Sequence, residues 1–264
     1  VTGVQTCALP ISCDVTPGRP VVEIGAGLGT LTARLLDAGA GVTAVERDRD
    51  MCAVLRAELG ERPGFTLVED NALTVDYAAL GGESPVAVGN LPYHIAAPIL
   101  FRLLDRSPPC SRIVIMVQRE VADRMLAQVG DEDYSAMSVN VQLVAAARRV
   151  CHVGPGSFVP PPRVQSTVVL LLPRAEPLYG VRDVERVRAV VRAAFGQRRK
   201  TLRNAIAAVY GDAALPGLQA AGIDPQRRGE TLTLEEFTRL ATALPAPVAG
   251  AAGGPAGDED PAHA

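Results

Sequence analysis

Val21-Val-Glu-Ile-Gly-Ala-Gly-Leu-Gly-Thr30 carries a short apolar run into a glycine-rich turn, and the residues that follow, Leu31–Ala38, have helical spacing. A strand that opens into a helix through such a turn is the first unit of a doubly wound α/β sheet, where ligands sit outside the carboxyl ends of the strands. The alternation continues outward. Val42–Glu46, Phe65–Val68, Val86–Gly89 and Ile113–Val117 read as buried strands, with amphipathic stretches at Arg49–Leu59 and Ala97–Arg106 between them. This spacing implies a parallel sheet with helices on both faces. A last apolar run, Thr167–Leu172, follows the proline-rich loop Pro160–Arg163 and is expected to close the sheet. After Pro173 the strand signal stops. Asp183–Phe195, Lys200–Val209 and Leu234–Ala243 are helical patterns, and Thr233 with Glu236 has the spacing of a capping box.

Gly25, Gly27 and Gly29 follow a GxGxG spacing, whereas a dinucleotide fingerprint asks for GxGxxG and Thr30 stands where its next residue would be. With Glu23 inside the strand, the pattern resembles motif I of S-adenosylmethionine-dependent methyltransferases. That resemblance implies a Rossmann-like class I methyltransferase sheet and S-adenosylmethionine as cofactor. The glycines would let the backbone approach the amino-acid part of a ligand that has no pyrophosphate. Glu46 ends the second strand, where an acid can accept from both ribose hydroxyls. Asp70, with Asn71 beside it, follows the third strand; in the methyltransferase pattern a carboxylate here accepts from the adenine amino group. Each acid taken alone is more often a helix cap or surface residue; the glycine-rich turn after strand one, with an acid after strand two and another after strand three, is what points to a cofactor site.

Gly89-Asn90-Leu91-Pro92-Tyr93 follows the fourth strand and looks like the Asn/Asp-Pro-Pro-aromatic motif of enzymes that methylate exocyclic base amines. The residue types suit that chemistry. An adenine amino nitrogen has its lone pair delocalised into the ring. If the Asn90 side-chain oxygen and a main-chain carbonyl of Leu91 or Pro92 accept its two hydrogens, the nitrogen becomes tetrahedral and its lone pair faces the sulfonium methyl. Orientation and stabilisation of developing positive charge then suffice, without a strong base. Tyr93 would stack on the extruded base. Phe158, in Gly156-Ser-Phe-Val-Pro-Pro-Pro-Arg-Val-Gln-Ser166, is a second stacking candidate, with a core position beside a turn as its other reading.

The 264 residues are 48% hydrophobic, 21% charged and 4% aromatic, a globular composition. No run reaches the roughly 18 apolar residues of a membrane span, and no secretion signal stands at the start. Five scattered cysteines and three distant histidines argue against a disulfide framework or a metal site. A cytoplasmic protein is expected. The formal net charge of −3 hides its distribution. Val181–Asn204 holds eight bases, Arg198, Arg199, Lys200 and Arg203 among them, against Asp183 and Glu185. Such a cluster meets phosphate, or else is a solvated helical face.

Together, NLPYHI (90–95), Phe158-Val-Pro-Pro-Pro-Arg-Val-Gln-Ser166 and Phe195-Gly-Gln-Arg-Arg-Lys-Thr-Leu-Arg-Asn204 resemble the ribosomal RNA adenine N6,N6-dimethyltransferases. The likeness runs from about Val15 to Leu244 and includes Gly222-Ile-Asp-Pro225 and Arg228-Gly-Glu-Thr-Leu232. It implies a seven-stranded methyltransferase sheet, a small all-helical C-terminal domain, and dimethylation of two adjacent adenines in the 3′-terminal hairpin loop of 16S rRNA within the 30S particle. A monomer acting on that particle, with no membrane contact, is the expected partnership. The expected organisation is a non-native leader at 1–14, a methyltransferase domain at 15–178, a helical rRNA-binding domain at 179–244 and a disordered tail at 245–264.

The leader is expected because VTGVQTCALPIS (1–12) resembles translated adapter sequence and stands where the family carries a basic Gln-Asn-Phe-Leu segment. Two other readings stay open. One is a 23S rRNA adenine methyltransferase of the macrolide-resistance type. The other is a 30S assembly factor whose catalysis is impaired by the missing segment.

Overall fold

The computed structural model describes residues 12–91, 95–157 and 164–246. Its strands are β1 (Pro20–Ile24), β2 (Gly41–Glu46), β3 (Phe65–Glu69), β4 (Val86–Asn90), β5 (Arg112–Gln118), β6 (Ala145–Val153) and β7 (Ser166–Pro173). They form one seven-stranded sheet in the order β3-β2-β1-β4-β5-β7-β6. The helices are α1 (Thr30–Asp37), α2 (Arg49–Leu59), α3 (Ala96–Leu104), α4 (Arg119–Leu126), α5 (Ala136–Val144), α6 (Val184–Phe195), α7 (Leu202–Tyr210), α8 (Ala214–Ala220) and α9 (Leu234–Ala243).

β1 to β5 are mutually parallel, whereas β7 runs antiparallel to both β5 and β6. The sheet is therefore mixed rather than parallel throughout. The expected closing strand, β7, lies inside the sheet, and the edge belongs to β6, which the apolar pattern does not mark. β6 contains Arg148 and Arg149, is mostly exposed or half-buried, and carries an irregularity between Arg149 and Cys151. An edge strand needs one apolar face at most, so its sequence lacks the continuous run of a central strand. β4, by contrast, is buried from Val86 to Gly89.

The chain divides into two units. One comprises the chain up to Leu126 together with Val144–Ala175; the other comprises Ala127–Leu143 and the chain from Glu176 onward. The first holds the whole sheet. Its core is built from inward residues of the central strands (Val21, Val42, Ala44, Val86, Val88, Val114, Met116) and from Leu31 and Leu35 of α1 and Leu55 and Leu59 of α2. Cys13 belongs to this core with no exposed surface, and Asp14 pairs with Arg112 at 3.0 Å. Residues 12–14 of the expected leader are thus packed against the sheet unit; residues 1–11 lie outside the described ones.

The second unit takes in a segment that sequence order alone would leave with the sheet. Tyr134 is 3% exposed and meets Phe195 edge-on at 6.0 Å, Phe195 stacks on Phe237 at 5.9 Å, and the Tyr134 hydroxyl donates to Leu232 O at 3.0 Å. One buried aromatic therefore fastens Ala127–Leu143 to Phe195 of α6 and to Leu232, just before α9. The capping box forms as spaced: Thr233 Oγ1 accepts from Glu236 N and the Glu236 carboxylate accepts from Thr233 N. Among the described residues no helix is long and apolar enough to cross a membrane.

Candidate active site

The parallel register sets four sequence positions along one edge of the sheet. Ile24 of β1 pairs with Val45 on one side and Gly89 on the other, and Glu46 pairs with Glu69. The carboxyl ends therefore present, in spatial order, Asp70, Glu46, Gly25 and Asn90. With strands about 4.8 Å apart, this ledge is about 14 Å long. It includes the point where the order reverses across β1, with β2 and β4 on either side, the usual ligand position in such sheets.

Gly25, Gly27 and Gly29 all adopt positive φ, at 71°, 56° and 77°. Gly29 is required twice over: it caps α1 in the left-handed region, and a Cβ there would come within 2.8 Å of Leu55 and Leu59. Gly89 is excluded from carrying a side chain by the backbone itself, since its Cβ would lie 2.8 Å from Ile24 O. A glycine just before Asn90 thus lets β4 draw close to β1 beneath the ledge.

Glu46 is held by main-chain donors. Oε2 accepts from Gly27 N at 2.9 Å, and Oε1 accepts from Arg47 N at 2.8 Å and Asp48 N at 2.9 Å. A carboxylate has about four acceptor positions, so one on Oε2 stays open to a ligand and a second hydroxyl must share or exchange with an N–H. Asp70 is exposed; its Oδ1 accepts from Asn71 N at 2.6 Å, and Asn71 Oδ1 accepts from Leu73 N at 3.0 Å. Asn90 is half-buried at the end of β4, and the next residue, Leu91, is 1% exposed and donates from its N–H to Met116 O at 3.3 Å. Pro92, Tyr93 and Phe158 lie outside the described residues.

Glu23 does not stand on the ledge. It is 2% exposed inside β1, and its Oε2 accepts from Thr32 Oγ1 of α1 at 2.6 Å. The bond spans the glycine turn from below. Burial pushes the carboxyl up to about 8, with the Thr32 bond pulling the other way and the Glu46 charge adding to the rise. Glu23 is therefore mostly protonated at neutral pH, which suits a hydrogen-bonded brace better than a ligand to a cation.

In the second unit, the basic run separates into two kinds of residue. Arg188 is 8% exposed and pairs with Glu185 at 2.7 Å, and Arg186 donates to the carbonyls of Thr242 and Leu244 at the end of α9. Arg186 thus ties α6 to the end of α9, whereas the Arg188–Glu185 pair lies within α6. Arg198, Arg199, Lys200 and Arg203 are all exposed. The first three lie in the turn between α6 and α7, not at the start of a helix, because Thr201 is the N-cap of α7. Only Arg203 projects from helix. Arg198 lies 3.9 Å from Glu230, whereas Glu235 and Glu236 pair with Arg239 and Arg227. Arg199, Lys200 and Arg203 have no ion pair among the described residues.

Sequence reasoning missed the arginines on and just after α3, Arg102 and Arg106. Their only signal was a base inside an otherwise apolar helical pattern.

The sheet order, the glycine turn at its reversal point and the acids after β2 and β3 define the class I methyltransferase type of α/β protein. Residues 11–245 match the family model for ribosomal RNA adenine dimethylases, and the chain belongs to that family. It is 50% identical over 241 residues to a protein of Anaeromyxobacter sp. (strain K) named ribosomal RNA small subunit methyltransferase A, covering 86% of this chain and 84% of the relative. Among solved structures it resembles a dimethyladenosine transferase from Plasmodium falciparum, with TM-score 0.74, 27% identity and coverage of 88% and 92%. It also resembles the 23S rRNA methyltransferase ErmE, with TM-score 0.68, 25% identity and coverage of 92% and 98%.

Proposed function

We propose that this protein binds S-adenosylmethionine along the Asp70–Glu46–Gly25–Asn90 ledge and transfers its methyl group to N6 of adenines in small-subunit ribosomal RNA. The observation that carries the reading is the order of groups on the ledge. An acid suited to the adenine amino group, an acid suited to the ribose, a backbone turn suited to the amino-acid part, and an amide suited to the acceptor nitrogen follow one another in the sequence of the cofactor's own parts. Bound there, S-adenosylmethionine supplies an electrophilic methyl on a positively charged sulfur.

The chain's own residues do the rest. Asp70 and Glu46 fix the nucleoside, with Glu46 offering its open Oε2 position to one ribose hydroxyl. Asn90 Oδ1, with a main-chain carbonyl beyond it, accepts the two N6 hydrogens and turns the lone pair toward the methyl; Tyr93 and Phe158 flank the base. Because these contacts strengthen as the nitrogen gains positive charge, they favour the transition state over the bound substrate. Arg199, Lys200 and Arg203, with Arg198 beside them, take the RNA backbone by charge alone, a contact that positions without reading sequence. The target is a pair of adjacent adenines near the 3′ end of 16S rRNA, presented by the 30S particle to a single copy of the protein.

A large-subunit substrate is the competing reading, favoured by the likeness to ErmE. Isolated 30S and 50S subunits lacking the modification, each incubated with the protein and methyl-labelled S-adenosylmethionine, distinguish them. Label in 30S rRNA is expected; label confined to 50S rRNA would reverse the substrate assignment.

A further inference from the structure

We propose that Arg106, with Arg102 and Tyr77, is a positioning assembly that holds the Asp70–Asn71 end of the ledge in its cofactor-binding shape. The proposal rests on the cofactor reading above. The connection from Asp70 to Pro85 contains no α-helix, only a 3₁₀ turn at Tyr77–Ala79. Connections beyond about 12–15 residues without regular structure are uncommon, and those that persist are held by their own side chains or serve a site. This one does both. The Tyr77 hydroxyl donates to Ala72 O at 2.8 Å, directly behind Asp70 and Asn71. Arg102 Nη2 donates to Val75 O at 2.5 Å while its guanidinium lies 5.6 Å from the centre of the Tyr77 ring. Arg106 Nε donates to Tyr77 O at 2.8 Å, and its Nη2 donates to Leu80 O at 3.0 Å and Gly82 O at 2.5 Å. Its Nη1 donates to Pro108 O.

Arg106 is 6% exposed, and these acceptors are main-chain carbonyls rather than carboxylates. A guanidinium buried among carbonyls is a costly way to fill a core position. Its planar fork, however, fixes several carbonyls of one loop at once, which neither Lys nor an apolar residue does. Both arginines belong to α3 or the residue pair after it, and α3 is the helix that follows the Asn90 loop. The connection that carries the adenine-side acid is therefore tied to the helix behind the acceptor-side amide. Asp70 and Asn71 make the expected contact to the base, and the arginines and Tyr77 act through them.

The test is Tyr77→Phe, which keeps the ring beneath Arg102 and deletes only the bond to Ala72 O, with Arg106→Lys as the second variant. Calorimetry with S-adenosylmethionine should give a dissociation constant raised about three- to tenfold for Tyr77→Phe, the effect of one neutral hydrogen bond, and more for Arg106→Lys. The preference for adenosyl over inosyl analogues should narrow in step, while kcat at saturating cofactor and KM for 30S stay at wild-type values. A lower melting temperature with unchanged dissociation constant and unchanged analogue preference, measured where the variant is folded, would overturn the proposal and leave a purely structural role. If Arg106→Lys does not fold, Tyr77→Phe alone decides. Glu46→Ala run alongside separates the two levels: if it binds cofactor like wild type, the ledge reading itself fails; if it weakens binding and Tyr77→Phe does not, only the positioning proposal fails.

Discussion

Glu23 and Glu46, on neighbouring strands, show how one residue type serves two purposes depending on burial. Glu46 meets three main-chain N–H groups at the rim and acts as an acceptor; Glu23, one strand away and 2% exposed, has its carboxyl pushed up to about 8. Below about pH 4.5 that carboxyl is protonated in both the folded and the unfolded chain; as pH rises toward 8 the unfolded chain releases the proton and the folded one keeps it. The stability that the protonated carboxyl contributes is therefore lost across that window. Glu23→Gln should flatten the fall of melting temperature between about pH 5 and 9 and raise stability at the alkaline end. An unchanged profile would remove Glu23 as its source. At the rim, Glu46→Ala should cost about 1.5–3 kcal/mol of S-adenosylmethionine binding. Asp70→Ala should reduce discrimination between adenosyl and inosyl analogues; calorimetry on both variants checks this. The acids were legible in the sequence because each lies in or just after a strand that the apolar runs mark. That Glu23 braces the turn from below was not, since only the packing of Thr32 over it reveals its burial.

The turn between α6 and α7 is the element on which RNA affinity should depend. Arg199, Lys200 and Arg203 replaced together by Glu should lower 30S affinity, and the salt dependence of binding should become shallower by about two to three in log–log slope. Cofactor affinity should stay the same. Filter binding of 30S from low to high salt provides the measurement; a salt-insensitive wild-type interaction would refute the phosphate role. The cluster was visible as charge density, but its division was not: Arg186 and Arg188 face carbonyls and a carboxylate inside the helical unit, which a linear count cannot separate from exposed bases. Likewise β1 to β5 were legible as apolar runs, whereas β6, exposed on one side and broken near Arg149, was supplied only by family likeness. Gly29→Ala tests the turn geometry, since both the positive φ and the contacts with Leu55 and Leu59 oppose a methyl group. A loss of about 1–3 kcal/mol in denaturant unfolding is expected.

Across the whole molecule, each of the two units supplies one set of residues that the proposed reaction would use. The sheet unit gathers the ledge from residues far apart in sequence, and the helical unit carries the exposed bases on a frame fixed by Tyr134, Phe195 and Phe237. The recruitment of Ala127–Leu143 into that frame could not be read from the sequence, because a single buried tyrosine, not a composition shift, marks it. Family membership, by contrast, was legible from three short motifs. The reaction proposed is conversion of two adjacent adenines of 16S rRNA to N6,N6-dimethyladenosine, with Asn90 holding the acceptor amine. Unmodified 30S subunits incubated with the protein and S-adenosylmethionine, then digested for nucleoside mass spectrometry, put this to the test. Approach to two N6,N6-dimethyladenosines per particle is expected with the natural chain. With Asn90→Ala the rate should fall by about 10²–10³, while calorimetric cofactor binding stays within about twofold of wild type. Absence of dimethyladenosine from 30S rRNA with the natural chain, or an Asn90→Ala variant that methylates at the wild-type rate, would contradict it.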